Sequence, residues 1–194
     1  MFKKFFAIPF FLFSVGSLFA QFNPVFNNLT WADEFNGSGA IDDNKWFHQT
    51  LLPNGTSWWN GEQQHYTDEI TNSYVNNGLL NIVAIKEVYS DKGITKNYTS
   101  ARLNSKFALN YGRVEVMAKL PCGEGTWPAI WTLGKNITKN GGFWASTFGT
   151  KGWLACGEID IMEHWGHNPK YIQRALHNSF SSGNTINHSG IMAS

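Results

Sequence analysis

Cysteine is almost absent: the 194-residue chain has two, Cys122 and Cys156, too few for a disulfide framework. They can pair in an oxidising compartment or stay as two buried thiols, and both readings remain open. No Cys or His spacing marks a zinc site. Charge is scarce as well. The 15 Lys+Arg face 14 Asp+Glu for a net charge of +1, which gives no electrostatic reason to bind nucleic acid or an anionic membrane. No long segment holds a helical period, and after residue 21 no internal repeat or charged linker divides the chain. One apolar run stands out, from Phe5 to Phe13. It follows Lys3 and Lys4 and precedes small residues up to Ala20. That order reads as a secretory signal peptide over residues 1–20, cut near Ala20–Gln21, and the run is too short for a membrane helix. The expectation is a secreted or periplasmic protein with a single domain over residues 21–194 and no membrane contact after cleavage.

Aromatic residues are plentiful at 15%, with nine Trp among abundant Asn, Ser, Thr and Gly. A neutral surface rich in indoles and amides suits an uncharged sugar polymer, although about half of the Trp are expected in the core. Short apolar stretches between Gly, Asn, Asp and Pro turns read as strands. The clearest are Leu79–Val88 and Arg113–Leu120. In the second, Val114, Val116, Ala118 and Leu120 alternate with Arg113, Glu115, Met117 and Lys119, the pattern of a sheet with one buried face. Further strands are expected over Leu29–Phe35, Tyr98–Leu103, Ala129–Leu133, Ile159–Glu163 and Ile172–Asn178, with a helical turn capped by Asp42 before Trp46. The fold class is all-β, a sandwich of jelly-roll type.

The segment that carries chemistry is Gly157-Glu158-Ile159-Asp160-Ile161-Met162-Glu163-His164. On a regular strand Glu158 and Asp160 share one face, while Glu163 points the other way, into the core. An unpaired buried carboxylate is costly. A β-bulge around Ile161–Met162 adds one residue and returns Glu163 to the acidic face. The two Glu residues then stand about four strand steps apart, roughly 13 Å between Cα atoms at ~3.3 Å each. Side chains leaning together reach the carboxyl separation of about 5–5.5 Å used by retaining glycosidases. Glu158 would attack the anomeric carbon and Glu163 would act as acid and base. Asp160 between them would bond Glu158 and keep a proton on Glu163. Two blander readings compete: a solvated acidic strand face, and a metal cluster of Glu158, Asp160, Glu163, His164 and His167.

The sequence resembles glycoside hydrolase family 16, its laminarinase-like branch. The resemblance rests on Gly157 to His164, on Tyr98-Thr99-Ser100-Ala101-Arg102-Leu103, and on Tyr111-Gly112-Arg113-Val114-Glu115. Gly125-Thr126-Trp127-Pro128-Ala129-Ile130-Trp131-Thr132-Leu133-Gly134 adds to it, as do Trp31-Ala32-Asp33-Glu34-Phe35 and Asn60-Gly61-Glu62-Gln63-Gln64-His65-Tyr66-Thr67. It implies a concanavalin A-like jelly-roll with an open cleft, and a retaining endo-hydrolase of β-1,3-glucan or mixed-linkage β-glucan. Glu158 matches the nucleophile, Asp160 the assisting acid and Glu163 the acid/base. The extra residue Met162 matches the bulged laminarinase form and favours β-1,3-glucan. Trp127 and Trp131 match cleft-wall tryptophans, and Arg102, Asn60 and His177 match polar cleft positions. Trp165 and His164 follow the catalytic strand and would border a sugar. Glu34 and the Gly78 carbonyl resemble a structural calcium site; the chemistry needs no cofactor. Family domains run past residue 194, so the domain is expected to be incomplete at its C-terminus, with unpaired edges. The expected partner is β-glucan and the expected state a monomer. A non-catalytic glucan-binding protein on the same fold is the alternative from another class; mixed-linkage glucan or algal galactan are alternative substrates.

Overall fold

Asn, Asp and Gly turns cut the chain into short pieces. The computed structural model, which describes residues 24–180 and the backbone of 186–191, accordingly consists almost wholly of short strands. They are β1 (Ser38–Gly39), β2 (Trp46–His48), β3 (His65–Tyr66), β4 (Ser73–Asn76), β5 (Leu79–Ile82), β6 (Tyr89–Asp91) and β7 (Ile94–Lys96). The series continues with β8 (Thr99–Ser100), β9 (Leu103–Ser105), β10 (Ala129–Leu133), β11 (Glu158–Glu163), β12 (Tyr171–His177) and β13 (Ile186–Ile191). One four-residue helix, α1 (Ala145–Phe148), lies between β10 and β11.

Strands β10, β11, β12 and β13 form an antiparallel sheet in that order, and β1, β4 and β5 form a second. The remaining pairs are β2 with β9, β6 with β7, and the parallel pair β3 with β8. Much of the buried interior is polar. Asn72 is fully buried; its amide donates to the Val83 carbonyl at 3.1 Å and to the Thr99 hydroxyl at 3.0 Å, and its carbonyl accepts from Thr67. That network ties β4 to β8, because a buried amide left unbonded would cost several kcal/mol.

Strands β10, β11 and β12 lie within one residue of their expected bounds. The Asp42 turn also forms: its side chain accepts from the Asn44 backbone at 2.8 Å, and its carbonyl accepts from the Trp46 backbone at 2.9 Å. Other segments differ. Leu79–Val88 leaves its sheet after Ile82, and Tyr98–Leu103 divides between β8 and β9. Leu29–Phe35 and Arg113–Leu120 pair with no strand among the described residues. Arg113–Leu120 has the alternation of a half-buried strand but lacks a neighbour to bond or cover it, and Val116 is 56% exposed. The face of β11 opposite the acids also departs from expectation: Ile159 is 52% exposed and pairs with Leu176 at 39%. Residues 1–20, read as a signal peptide, lie outside the described residues. Among the described residues no helix is long and apolar enough to cross a membrane.

Candidate active site

Strand β11 carries the expected irregularity. Against β10, Asp160 pairs with Trp131 and Met162 with Ile130, so Ile161 has no opposite number. Against β12, Asp160 pairs with Ala175 and Glu163 with Gln173, so Ile161 and Met162 face Arg174 alone, two residues against one. This is a β-bulge, and it restores Glu163 to the side of Glu158 and Asp160. Each acid has a distinct partner there. The Trp153 indole donates to Glu158 Oε2 at 3.1 Å, and the Trp127 indole donates to Glu163 Oε1 at 3.2 Å. His177 Nε2 lies 2.9 Å from Asp160 Oδ2 and 3.6 Å from Glu158 Oε1, so Asp160 is its principal partner. The pairing of Glu158 with His177 across β11 and β12 sets that cluster.

The three carboxyls share an electrostatic problem. Burial pushes the carboxyl of Glu158 up, Asp160 adds to the rise, and His177, the Trp153 hydrogen bond and Lys139 oppose it. Burial raises Glu163 as well, followed by the Asp160 charge, with the Trp127 bond opposing. Asp160 is raised by burial against the pull of His177. Each of the three carboxyls is therefore harder to ionise than a free one, burial being the first cause in every case. Glu163 lacks the close His contact of the other two.

Aromatic groups flank the acids. Trp165 stacks on Trp127 with ring centroids 5.7 Å apart and planes 19° apart. Trp131, whose strand partner is Asp160, presents its side chain on the acidic face. The Arg102 guanidinium lies 4.6 Å from the Trp131 ring centroid and bonds Gln49 Oε1 at 3.1 Å. Asn60 occupies an exposed left-handed turn directly after Trp59. Glu158, Asp160, Glu163, Trp127, Trp131, Arg102, Trp165 and His177 thus surround one face.

Several readings need correction. His164 is fully buried and its Nδ1 lies 2.8 Å from the Tyr171 carbonyl, so it turns inward instead of bordering a sugar. With His164 inward and His167 exposed beyond the strand, the metal cluster built on those two histidines does not assemble. A different trio, Glu158, Asp160 and His177, brings ligand atoms within 4.8 Å of one another. Glu34 is exposed and Gly78 forms the β4–β5 turn; no group of three acidic, His or Cys ligands includes Glu34 among the described residues. The two offer two oxygens, short of the six to eight that calcium takes. Cys122 and Cys156 are free thiols. Sequence reasoning missed Trp153, whose place beside Glu158 comes from a loop with no periodic signal, and Lys139, which resembles any surface lysine in an Asn- and Gly-rich loop.

Comparison with known proteins follows the same line. The profile of the glycosyl hydrolases family 16 matches residues 56–192. Glucan endo-1,3-beta-glucosidase A1 of Niallia circulans is 41% identical over 160 residues, covering 77% of this chain and 22% of that protein. The crystal structure of LamAcat from Zobellia galactanivorans superposes with a TM-score of 0.82 at 47% identity, covering 87% of this chain and 68% of that one. A LamA variant from the same organism, crystallised with laminaritriose and laminaritetraose, gives 0.82 at 46% identity over 87% and 69%. The likeness makes the fold a β-jelly-roll. The chain spans less than a quarter of the length of the Niallia relative.

Proposed function

Because the chain belongs to the glycosyl hydrolases family 16, we propose that it is a retaining endo-hydrolase of β-1,3-glucan of the laminarin type. The observation that carries this reading is the bulge at Ile161, which gathers Glu158, Asp160 and Glu163 on one face between tryptophans. In the first step a Glu158 carboxylate oxygen attacks the anomeric carbon. Glu163 gives its proton to the departing glycosidic oxygen, and a covalent glycosyl-enzyme forms. In the second step Glu163 takes a proton from water, whose oxygen displaces Glu158 with net retention. Asp160 holds His177 and raises the proton affinity of Glu163. The flat indoles of Trp127, Trp131 and Trp165 offer apolar faces to pyranose rings.

The named relatives that act on or bind 1,3-linked glucan support the choice of linkage. The intact acids argue against a binding-only protein. Secretion by the residue 1–20 signal and action as a monomer belong to the same reading. A structural calcium ion held by Glu34 and the Gly78 carbonyl belongs to it only if further oxygens join them, and a melting temperature indifferent to chelator would remove it. Glu158→Gln is expected to lower hydrolysis of laminarin to about a thousandth or less of the parent rate with binding kept. Glu163→Ala is expected to regain turnover of an activated glycoside when azide is added. Undiminished hydrolysis by the Glu158 variant, or inversion of product configuration by NMR, would overturn the mechanism.

A further inference from the structure

Lys139 is the unexplained group in this cleft. Its residue is only 9% exposed, yet among the described residues no carboxylate pairs with its ammonium and no acceptor takes its hydrogens. Its Nζ instead sits 4.2 Å from the Trp59 ring centroid and 5.4 Å from the Trp131 ring centroid. Trp131 faces the acids, and Trp59 is 40% exposed, so the amine hangs between two cleft indoles. The loop that carries it is anchored, not loose. Thr138 N donates to the Lys151 carbonyl at 2.8 Å, Gly142 N donates to the Lys139 carbonyl at 3.0 Å, and Gly134 N donates to the Gly157 carbonyl at 3.0 Å at the entry to β11. Gly134 has to be glycine, because a Cβ there would meet the Cys156 carbonyl oxygen at 2.0 Å.

A buried amine with three unused donors is costly unless something else accepts from it. Burial, followed by repulsion from Arg102, pushes it down to about 7, and the pull of Glu158 opposes this. We infer that Lys139 is a sugar-binding residue: its amine donates to hydroxyls of a glucosyl unit seated outside it, against the open edges of Trp59 and Trp131, on the β10 side of the proposed catalytic acids. The two indoles supply apolar faces, Arg102 and Lys139 supply donors, and a neutral polyol supplies the acceptors. This deepens the glucanase reading and rests on it.

The test is calorimetric binding of laminarihexaose to the full chain carrying Glu158→Gln, with and without Lys139→Met. Affinity is expected to fall roughly 10- to 100-fold with Met and to recover in part with Lys139→Arg. The melting temperature should hold or rise with Met, since an unpaired buried cation is removed. A structural role predicts the reverse, a fall in melting temperature with affinity intact. Equal affinity of the Lys and Met proteins overturns the inference and leaves the hydrolase reading standing. No binding by either, with no laminarin turnover by the parent protein, overturns both. Inorganic sulfate is the second probe. Competition with the hexaose in the Lys139 protein, absent in Lys139→Met, would show a site for an anionic substituent and overturn the neutral-sugar assignment; no competition supports it.

Discussion

Two indole hydrogens divide the labour between two glutamates. Trp153 donates to Glu158 and Trp127 to Glu163, and each bond favours the ionised form of its acceptor. In the proposed mechanism Glu158 works ionised and Glu163 works protonated, so the same kind of loss has different consequences at each. Trp153→Phe raises the proton affinity of Glu158, and the acid limb of kcat/KM should move up by about half to one pH unit. Trp127→Phe raises that of Glu163, and the alkaline limb should move up by a similar amount. A pH–rate profile for each variant checks both; movement of the same limb in the two would contradict the assignment of roles. The acids themselves were legible from the sequence, because three carboxylates among bulky apolar residues need a shared wet face. The donor to Glu158 was not: Trp153 lies on a loop, as does Lys139, where no period says which way a side chain turns.

At the scale of a strand, the bulge in β11 decides whether the site exists. Inserting one Ala after Ile161 adds a residue that the bulge does not absorb, which sends the Glu163 side chain to the face of Ile159 and breaks the Trp127 bond. Hydrolysis should fall about a hundredfold or more, and a circular dichroism spectrum like that of the parent would show that the sheet persists. Undiminished activity after the insertion would mean that Glu163 reaches its post by some other route. Strands β10, β11 and β12 could be read from alternation because each has a paired neighbour, β11 and β12 on both sides and β10 on one. Arg113–Leu120 alternates as well as any of them, but alternation records only a side chain's preference for one face. Whether a strand forms depends on a partner to complete its hydrogen bonds, which local sequence does not reveal. The buried polar hub at Asn72 was invisible for the same reason, since its acceptors lie 11 and 27 residues away.

For the whole molecule, one side of the four-stranded sheet is chemistry and the other is exposed hydrocarbon. Ile159 and Leu176 pair across β11 and β12 with about half and two fifths of their surfaces open. Contiguous open apolar surface promotes association of copies. Replacing both with Thr should shift gel-filtration elution of the concentrated chain toward the monomer while leaving the opposite face, and so hydrolysis, unchanged. If the profile does not move, some other surface drives association. The jelly-roll class was readable from the run of short strands and turns, whereas the uncovered face was not, because burial there depends on a second layer and not on β11's own residues.

The two carboxyls proposed to react sit on a single strand, and the bulge in its backbone puts them on one side. Their gap is therefore independent of how the groove's walls stand relative to each other. A shift in the loops bearing Trp153 or Trp165 would leave that spacing unchanged.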